Sequence, residues 1–316
     1  TMADLTQHTP LPTVQAIYKA YESARGPAHR LHLGGSQIGH HCERYLWYQF
    51  HWAEHENHDG RKLRLFDSGN HQEPRIVADL RSIGATVYDV DPSTSRQIKY
   101  TAFGGHFKIS LDGAVQGIPE SNKWHVLEMK TANERSFNST KKHGVEKDNP
   151  QHNIQMQVGM YLSGMERALY IVVNKNTDEI YAERVRPKAQ QSEWAMSRAE
   201  RVIFSDEPPP RISEDPTWWQ CKMCPMHELC FDGANAEVNC RTCLHSTAKR
   251  DGTWYCEKRE IVLDEKIQRE GCAEHLYRPT LVGIGTATDA GDDYVVYDDA
   301  WRNGPWGEHS YTSREV

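Results

Sequence analysis

The 316-residue chain is 38% hydrophobic and 26% charged, with a net charge of −7. That is the make-up of a globular protein with room for one large domain or two smaller ones, and it excludes a low-complexity or uniformly basic polypeptide. No apolar run approaches the roughly 18–20 residues of a transmembrane helix, so a membrane partner is not expected; the acidic balance means that any nucleic acid must be met by a local groove.

No basic-plus-apolar signal segment opens the chain, which points to a reducing, cytoplasmic setting. There the eight cysteines, at 42, 221, 224, 230, 240, 243, 256 and 272, read as metal ligands rather than disulfides. Residues 13–25 have helical periodicity after a Thr13 cap. Cys42 precedes the aromatic run Tyr45-Leu46-Trp47-Tyr48; a lone cysteine in such a place is commonly a core residue. Residues 53–62 are polar and predict a loop. A helix is expected from Ser68 to near Gly84, with Gly69 and Glu73 at its start. A glutamate in a first helical turn is also favoured simply by the helix dipole.

Residues 85–90 predict a strand, and 97–103 with 106–115 predict a hairpin turning at Gly104-Gly105. In the next run, 124–130, Val126, Glu128 and Lys130 alternate with Leu127 and Met129. That is the period of a strand, and it places Glu128 and Lys130 on one face. Asp112 stands near the end of the preceding run. Two carboxylates from adjacent strands beside one ammonium are what a divalent-metal phosphodiesterase needs, although Asp112-Gly113 is also a good turn dipeptide.

Residues 134–149 are polar and basic and predict a loop over the groove. Lys141, Lys142, His143 and Lys147 there, and Arg61, Lys62 and Arg64 earlier, are candidate DNA contacts or merely solvated faces. A helix over 153–162 puts Gln157 and Tyr161 on one face. Strands at 167–174 and 179–185 flank a turn at 174–178, a long helix covers 188–205, and Pro208-Pro209-Pro210 ends it.

The cysteine-rich half holds two constellations. Cys221, Cys224 and Cys230 have the spacing C-x2-C-x5-C, one ligand short of a closed zinc site or a cubane, and Cys42 can supply the fourth. Zinc at the same four thiols, or zinc with His227, is the alternative. Cys240-x2-Cys243, then Cys256 and Cys272, read as a zinc ribbon, with His245 or His275 as possible substitutes for Cys272. Residues 282–316 form an acidic, aromatic tail. No phosphate-cradling glycine loop of the P-loop type occurs.

The order Gly69–Glu73, Asp112, Glu128-x-Lys130, Gln157–Tyr161 resembles the PD-(D/E)xK nuclease superfamily of the RecB-like type. With Cys42 and the 221/224/230 trio it resembles the iron–sulfur members, such as the AddB nuclease domain and the CRISPR-adaptation nucleases. The resemblance implies a restriction-endonuclease-like α/β core, a mixed central sheet flanked by helices, closed by a metal-stapled cysteine-rich region. It implies Mg2+ or Mn2+ on Glu73, Asp112, Glu128 and the Met129 carbonyl, with Lys130 orienting water and Gln157 and Tyr161 holding the phosphate region. It also implies a [4Fe–4S] cluster on Cys42, Cys221, Cys224 and Cys230. Zn2+ on Cys240, Cys243, Cys256 and Cys272 comes from the ribbon spacing alone.

The expected organisation is a nuclease domain over 1–232, a zinc-ribbon-like segment over 233–285 and a tail over 286–316. The expected activity is metal-dependent hydrolysis of DNA, an exonuclease on ends or single strands in recombination, repair or phage DNA metabolism. A recombinase, helicase or single-strand-binding partner would suit that setting. The competing class is a non-catalytic DNA- or protein-binding module on the same scaffold. Oligomeric state is not readable from the sequence.

Overall fold

A computed structural model describes residues 11–26, 29–304 and 307–316; the signal-segment reading falls on residues 1–10, outside the described residues. Helix α1 (Pro12–Ser23) is followed by β1 (Leu33–Gly34), α2 (Glu43–Phe50), α3 (Gly60–Asn70), α4 (Glu73–Ser82), β2 (Thr86–Tyr88), β3 (Lys99–Ala102), β4 (Phe107–Ser110), β5 (Gly113–Gln116) and β6 (His125–Ala132). Helices α5 (Glu134–His143), α6 (Val145–Asp148) and α7 (Pro150–Ser163) lead to β7 (Ala168–Asn174), β8 (Ile180–Val185) and α8 (Ala189–Phe204).

The architecture is mixed α/β. Strands β2-β5-β6-β7-β8 form a five-stranded sheet in which only the central β6–β7 pair is parallel. The α5–α7 excursion supplies the crossover that a parallel pair requires. Strand alternation then divides the core. Val126, Tyr170 and Val172 face Met156 and the aromatic helix α2 in one cluster. Leu127, Met129, Leu169, Ile171 and Val173 face Ile76, Val77 and Leu80 of α4 in the other. Helices cover both faces, so β7 reads as a continuous apolar run and is buried throughout.

Three expectations change. The predicted hairpin splits between two sheets: β3 and β4 pair with each other, but the chain bends at Leu111-Asp112 and β5 joins the central sheet. The predicted helix from Ser68 is two helices broken at His71-Gln72, and α3 already begins at Gly60, inside the predicted loop. Its Asp59 cap accepts the Lys62 N–H at 2.7 Å. The predicted loop 134–149 is α5 and α6. Asn133 caps α5 by accepting from Ser136 N–H, Phe137 is fully buried, and Lys141, Lys142 and His143 fall in the last turn, where the helix dipole favours cations.

After α8, short helices α9 (Trp219–Lys222) and α10 (His227–Phe231) carry Cys221 and Cys230, with Cys224 in the turn between them. Strands β9 (Ser246–Ala248), β10 (Trp254–Cys256) and β11 (Ile261–Leu263) make a three-stranded antiparallel sheet, followed by α11 (Glu265–Glu270). The tail folds as the sheet β12-β13-β14-β15, comprising Ala287–Gly291, Tyr294–Tyr297, Trp301–Asn303 and Ser310–Tyr311.

This half is not appended loosely. Trp254, Tyr277 and Tyr297 belong to the same buried cluster as Leu46 and Trp47. Arg241 is buried and donates to the carbonyls of Phe50 and Leu31 and to Gln268 Oε1 at 2.9–3.0 Å, with its guanidinium 3.9 Å from the Trp52 ring centroid. Gly104 (φ +67°) lies against Gly252 (φ +94°) so closely that a Cβ on Gly104 would stand 2.2 Å from Gly252 N. The turn between β3 and β4 thus docks on the cysteine-rich hairpin only because both positions lack side chains.

Candidate active site

Strand β6 delivers Glu128 and Lys130 to the face covered by α7, as its alternation predicts. Glu128 is 1% exposed, and its carboxylate lies against the Lys130 ammonium. Asp112 sits at the bend where the chain leaves β4 for β5. Strand β5 pairs with β6 as far as Leu127, and the Met129 N–H beyond it donates to Asp112 Oδ2 at 2.8 Å. The carboxylate therefore replaces the missing strand partner, and that bond fixes it 3.7 Å from Lys130 Nζ. Lys130 Nζ also donates to the Met129 carbonyl at 3.2 Å. Glu73 opens α4 and lines a cleft of about 310 Å³ with Asn70, Met129 and Lys130.

Electrostatics show that the four groups act on one another. Glu128 is pushed up to about 8 by burial, opposed by Lys130 and reinforced by Asp112 and Glu73. Burial and then Asp112 raise Glu73. Burial disfavours the Lys130 charge, but Glu128 and Asp112 hold its pKa above the usual lysine range. Three carboxyls and one ammonium share a site short of positive charge, a hard-oxygen donor set suited to Mg2+ or Mn2+.

A second cleft of about 670 Å³ shares Asn70 and Lys130 with the first and is lined by Arg30, His32, Lys108, Asp112, Gln151 and Gln155 among others. His32 there is lowered to about 4 by burial and then by Lys108, Arg30 and Lys99. This is the basic groove beside the carboxylates. The clusters singled out in the sequence lie elsewhere: Arg61, Lys62 and Arg64 are exposed on α3, and Lys141 of α5 pairs with Glu179.

The helix residue that touches the site is not the predicted one. Gln155 Nε2 donates to Glu128 Oε2 at 2.8 Å. Gln157 is buried but faces away, donating to the Arg186 carbonyl at 2.9 Å and accepting from Lys188 N–H at 2.7 Å. Two residues along a helix is about 200° of rotation, so both glutamines cannot face the sheet. Tyr161 is 56% exposed and does not line the cleft. The stripe that does face the sheet is Gln151, Gln155 and Gly159. A Cβ on Gly159 would lie 3.1 Å from Leu111 and 3.4 Å from Val126, so the small residue lets α7 approach closely. That glycine at i+4 was the available signal. His152 and Tyr170 were also missed: the His152 Nδ1 lies 2.8 Å from the Tyr170 hydroxyl, and His152 is lowered to about 4 by burial and then by Lys130.

The cysteines gather in two sets. Cys42, at the cap of α2, lines one small cavity with Cys221, Cys224 and Cys230. Burial and then the neighbouring thiols push Cys224 up to about 12. His227 Nδ1 is at 3.0 Å from the Cys221 carbonyl. In the other set, burial and then Cys243, Cys272 and Cys256 push Cys240 up to about 12. The His275 ring is buried against Thr242 Oγ1 at 3.2 Å. Among the described residues no helix is long and apolar enough to cross a membrane.

The sequence matches no protein-family model and no curated protein. By fold the chain is similar to the crystal structure of SSO0001, at 14% identity and a TM-score of 0.40, over 69% of this chain and 96% of that one. It is also similar to an alkaline exonuclease, LHK-Exo, from Laribacter hongkongensis, at 17% identity and a TM-score of 0.42, over 58% of this chain and 90% of that one. The same exonuclease in complex with dAMP gives 16% identity and a TM-score of 0.41, over 60% and 90% of the two chains.

Proposed function

We propose that the chain is a divalent-metal-dependent DNA nuclease, an exonuclease on ends or single strands. The observation that supports this reading most is that Asp112 and Glu128 flank Lys130 while Glu73 lines a cleft with it. Glu73, Asp112, Glu128 and the Met129 carbonyl would hold Mg2+ or Mn2+. When bound, such cations neutralise phosphate charge and make water a nucleophile at neutral pH.

The protein's own groups do the rest. Gln155 fixes the orientation of the Glu128 carboxylate. Lys130 orients the attacking water toward phosphorus, or steadies a phosphate oxygen, from a position held by Glu128, Asp112 and the Met129 carbonyl. Arg30, Lys99 and Lys108 provide the sequence-independent attraction for a phosphodiester backbone that the net charge of −7 denies to the surface as a whole. Gln157 and Tyr161 take no part in this scheme.

We propose that the two cysteine sets are thiolate metal ligands. The set of Cys42, Cys221, Cys224 and Cys230 joins the start of α2 to α9 and α10, residues nearly 190 positions apart; a [4Fe–4S] cluster there would be a staple, with zinc as the alternative. Cys240 and Cys243 before β9, Cys256 at the end of β10 and Cys272 after α11 would hold Zn2+. A recombinase, helicase or single-strand-binding protein would be the natural partner of such an enzyme.

The test is cleavage of end-labelled single- and double-stranded DNA with Mn2+ by the wild type beside Lys130→Ala. Manganese-dependent shortening lost in the variant supports the reading. DNA binding without cleavage and without metal dependence assigns the chain instead to the non-catalytic binding class.

A further inference from the structure

Outside the carboxylate site and the cysteines, His29, His55 and Glu237 present one ligand atom each, all within 4.8 Å of one another. His29 Nε2 lies 3.0 Å from Glu237 Oε2, and His55 Nδ1 lies against Glu237 Oε1. From these positions we infer that His29, His55 and Glu237 form a binding site for a divalent transition cation of the zinc class, which clips the cysteine-rich half to the core.

His55 Nε2 is 2.9 Å from Asn57 Oδ1, a pure acceptor, so Nε2 carries the ring hydrogen. That leaves Nδ1, on the side of Glu237 Oε1, as the ring's ligand atom. An outer partner that fixes the tautomer of a ligating histidine is the usual companion of a metal site.

The remaining features suit such an ion. Two imidazole nitrogens and one carboxylate oxygen are a donor set for zinc and its neighbours rather than for magnesium or calcium. Tetrahedral zinc with bonds of about 2.0–2.1 Å spaces its ligand atoms roughly 3.3 Å apart, close to the His29–Glu237 separation. The His29 ring is held in place, stacked on Trp52 at 5.7 Å and set at 87° to the His55 ring. Glu237 is anchored by its own backbone N–H to the Ala53 carbonyl at 2.8 Å. Its side chain and that of His55 are 39% and 36% exposed, so an ion enters from solvent. Glu54 has a buried carboxylate oxygen, Oε2, without a hydrogen-bond partner beside this cluster.

The three ligands come from the segment before β1, the end of α2's following turn, and the link between α10 and the second cysteine set. One ion there joins three stretches of chain at the seam where Asn239 and Arg241 already bond to the Trp52 and Phe50 carbonyls. The site does not depend on nuclease activity.

The experiment is metal quantification on the full-length wild type and on Glu237→Gln, which keeps the shape of the side chain and removes its charge and one acceptor oxygen. The wild type should carry one more equivalent of zinc than the variant, with iron unchanged. An anomalous-scattering map at the zinc edge on wild-type crystals gives the second reading, independent of the variant's folding: a peak between the two rings and Glu237 is expected. Equal zinc in the two proteins, or no peak in crystals grown with excess zinc, overturns the inference and leaves the two histidines simply hydrogen-bonded to Glu237.

Discussion

Replacing Gln155 with alanine isolates the contact that positions the candidate site. Its side-chain amide donates at 2.8 Å to a carboxylate that is 1% exposed. A hydrogen bond to a charged group contributes about 1.5–3 kcal/mol, and removing an outer partner of a metal-ligating group typically costs roughly 10- to 100-fold in metal affinity or activity. Gln155→Ala should therefore raise the Mn2+ concentration for half-maximal DNA cleavage by about 10- to 100-fold. Gln157→Ala is the control. It removes the bonds to the Arg186 carbonyl and the Lys188 N–H, which lowers the melting temperature through a loss of roughly 0.5–1.5 kcal/mol per bond but does not touch the metal dependence. Manganese titrations of end-labelled DNA cleavage, with thermal melts of each protein, measure both effects. The reasoning fails if Gln157→Ala moves the manganese midpoint and Gln155→Ala leaves it in place.

Three further outcomes follow from other parts of the molecule. Arg241→Met orphans the Phe50 and Leu31 carbonyls and Gln268 Oε1 and should destabilise the fold by roughly 3 kcal/mol or more, read by urea denaturation. His51 is buried against Trp47 at 3.8 Å, and burial and then Arg278 hold its pKa well below 6.5. Below pH 6.5 the unfolded chain takes up a proton that the folded chain refuses, so stability is full above that pH and falls by up to about 1.4 kcal/mol per pH unit beneath it; melts between pH 7.5 and 5.5 should show a slope that His51→Phe reduces. Cys42→Ser should remove iron from anaerobically purified protein while zinc remains, by elemental analysis; iron retained in full would remove Cys42 from the ligand set.

The sequence was most informative where one side-chain period governed. Glu128 and Lys130 were readable as neighbours because β6 alternates without a break, and β7 and β8 were readable because their turn is short and polar. Helix α5 was not, because Phe137 is its one fully buried apolar side chain and no stripe marks a face. The bend at Asp112 was hidden inside an apolar run whose period does not change as the chain passes from one sheet to the other. Gln157 was chosen over Gln155 because spacing to Tyr161 says that two residues share a face but not which face meets the sheet; the close approach of Gly159 decides that in space. Arg241 was invisible as a staple because its partners are backbone carbonyls, which leave no pattern in side-chain chemistry.

The central claim is that Glu73, Asp112 and Glu128 together hold hard divalent cations. Crystals soaked in Mn2+ and measured at the manganese edge test it directly. The account predicts anomalous density within bonding distance of those three carboxylates and beside the Met129 carbonyl. Manganese bound only at other carboxylates, with these three left without density, would contradict it.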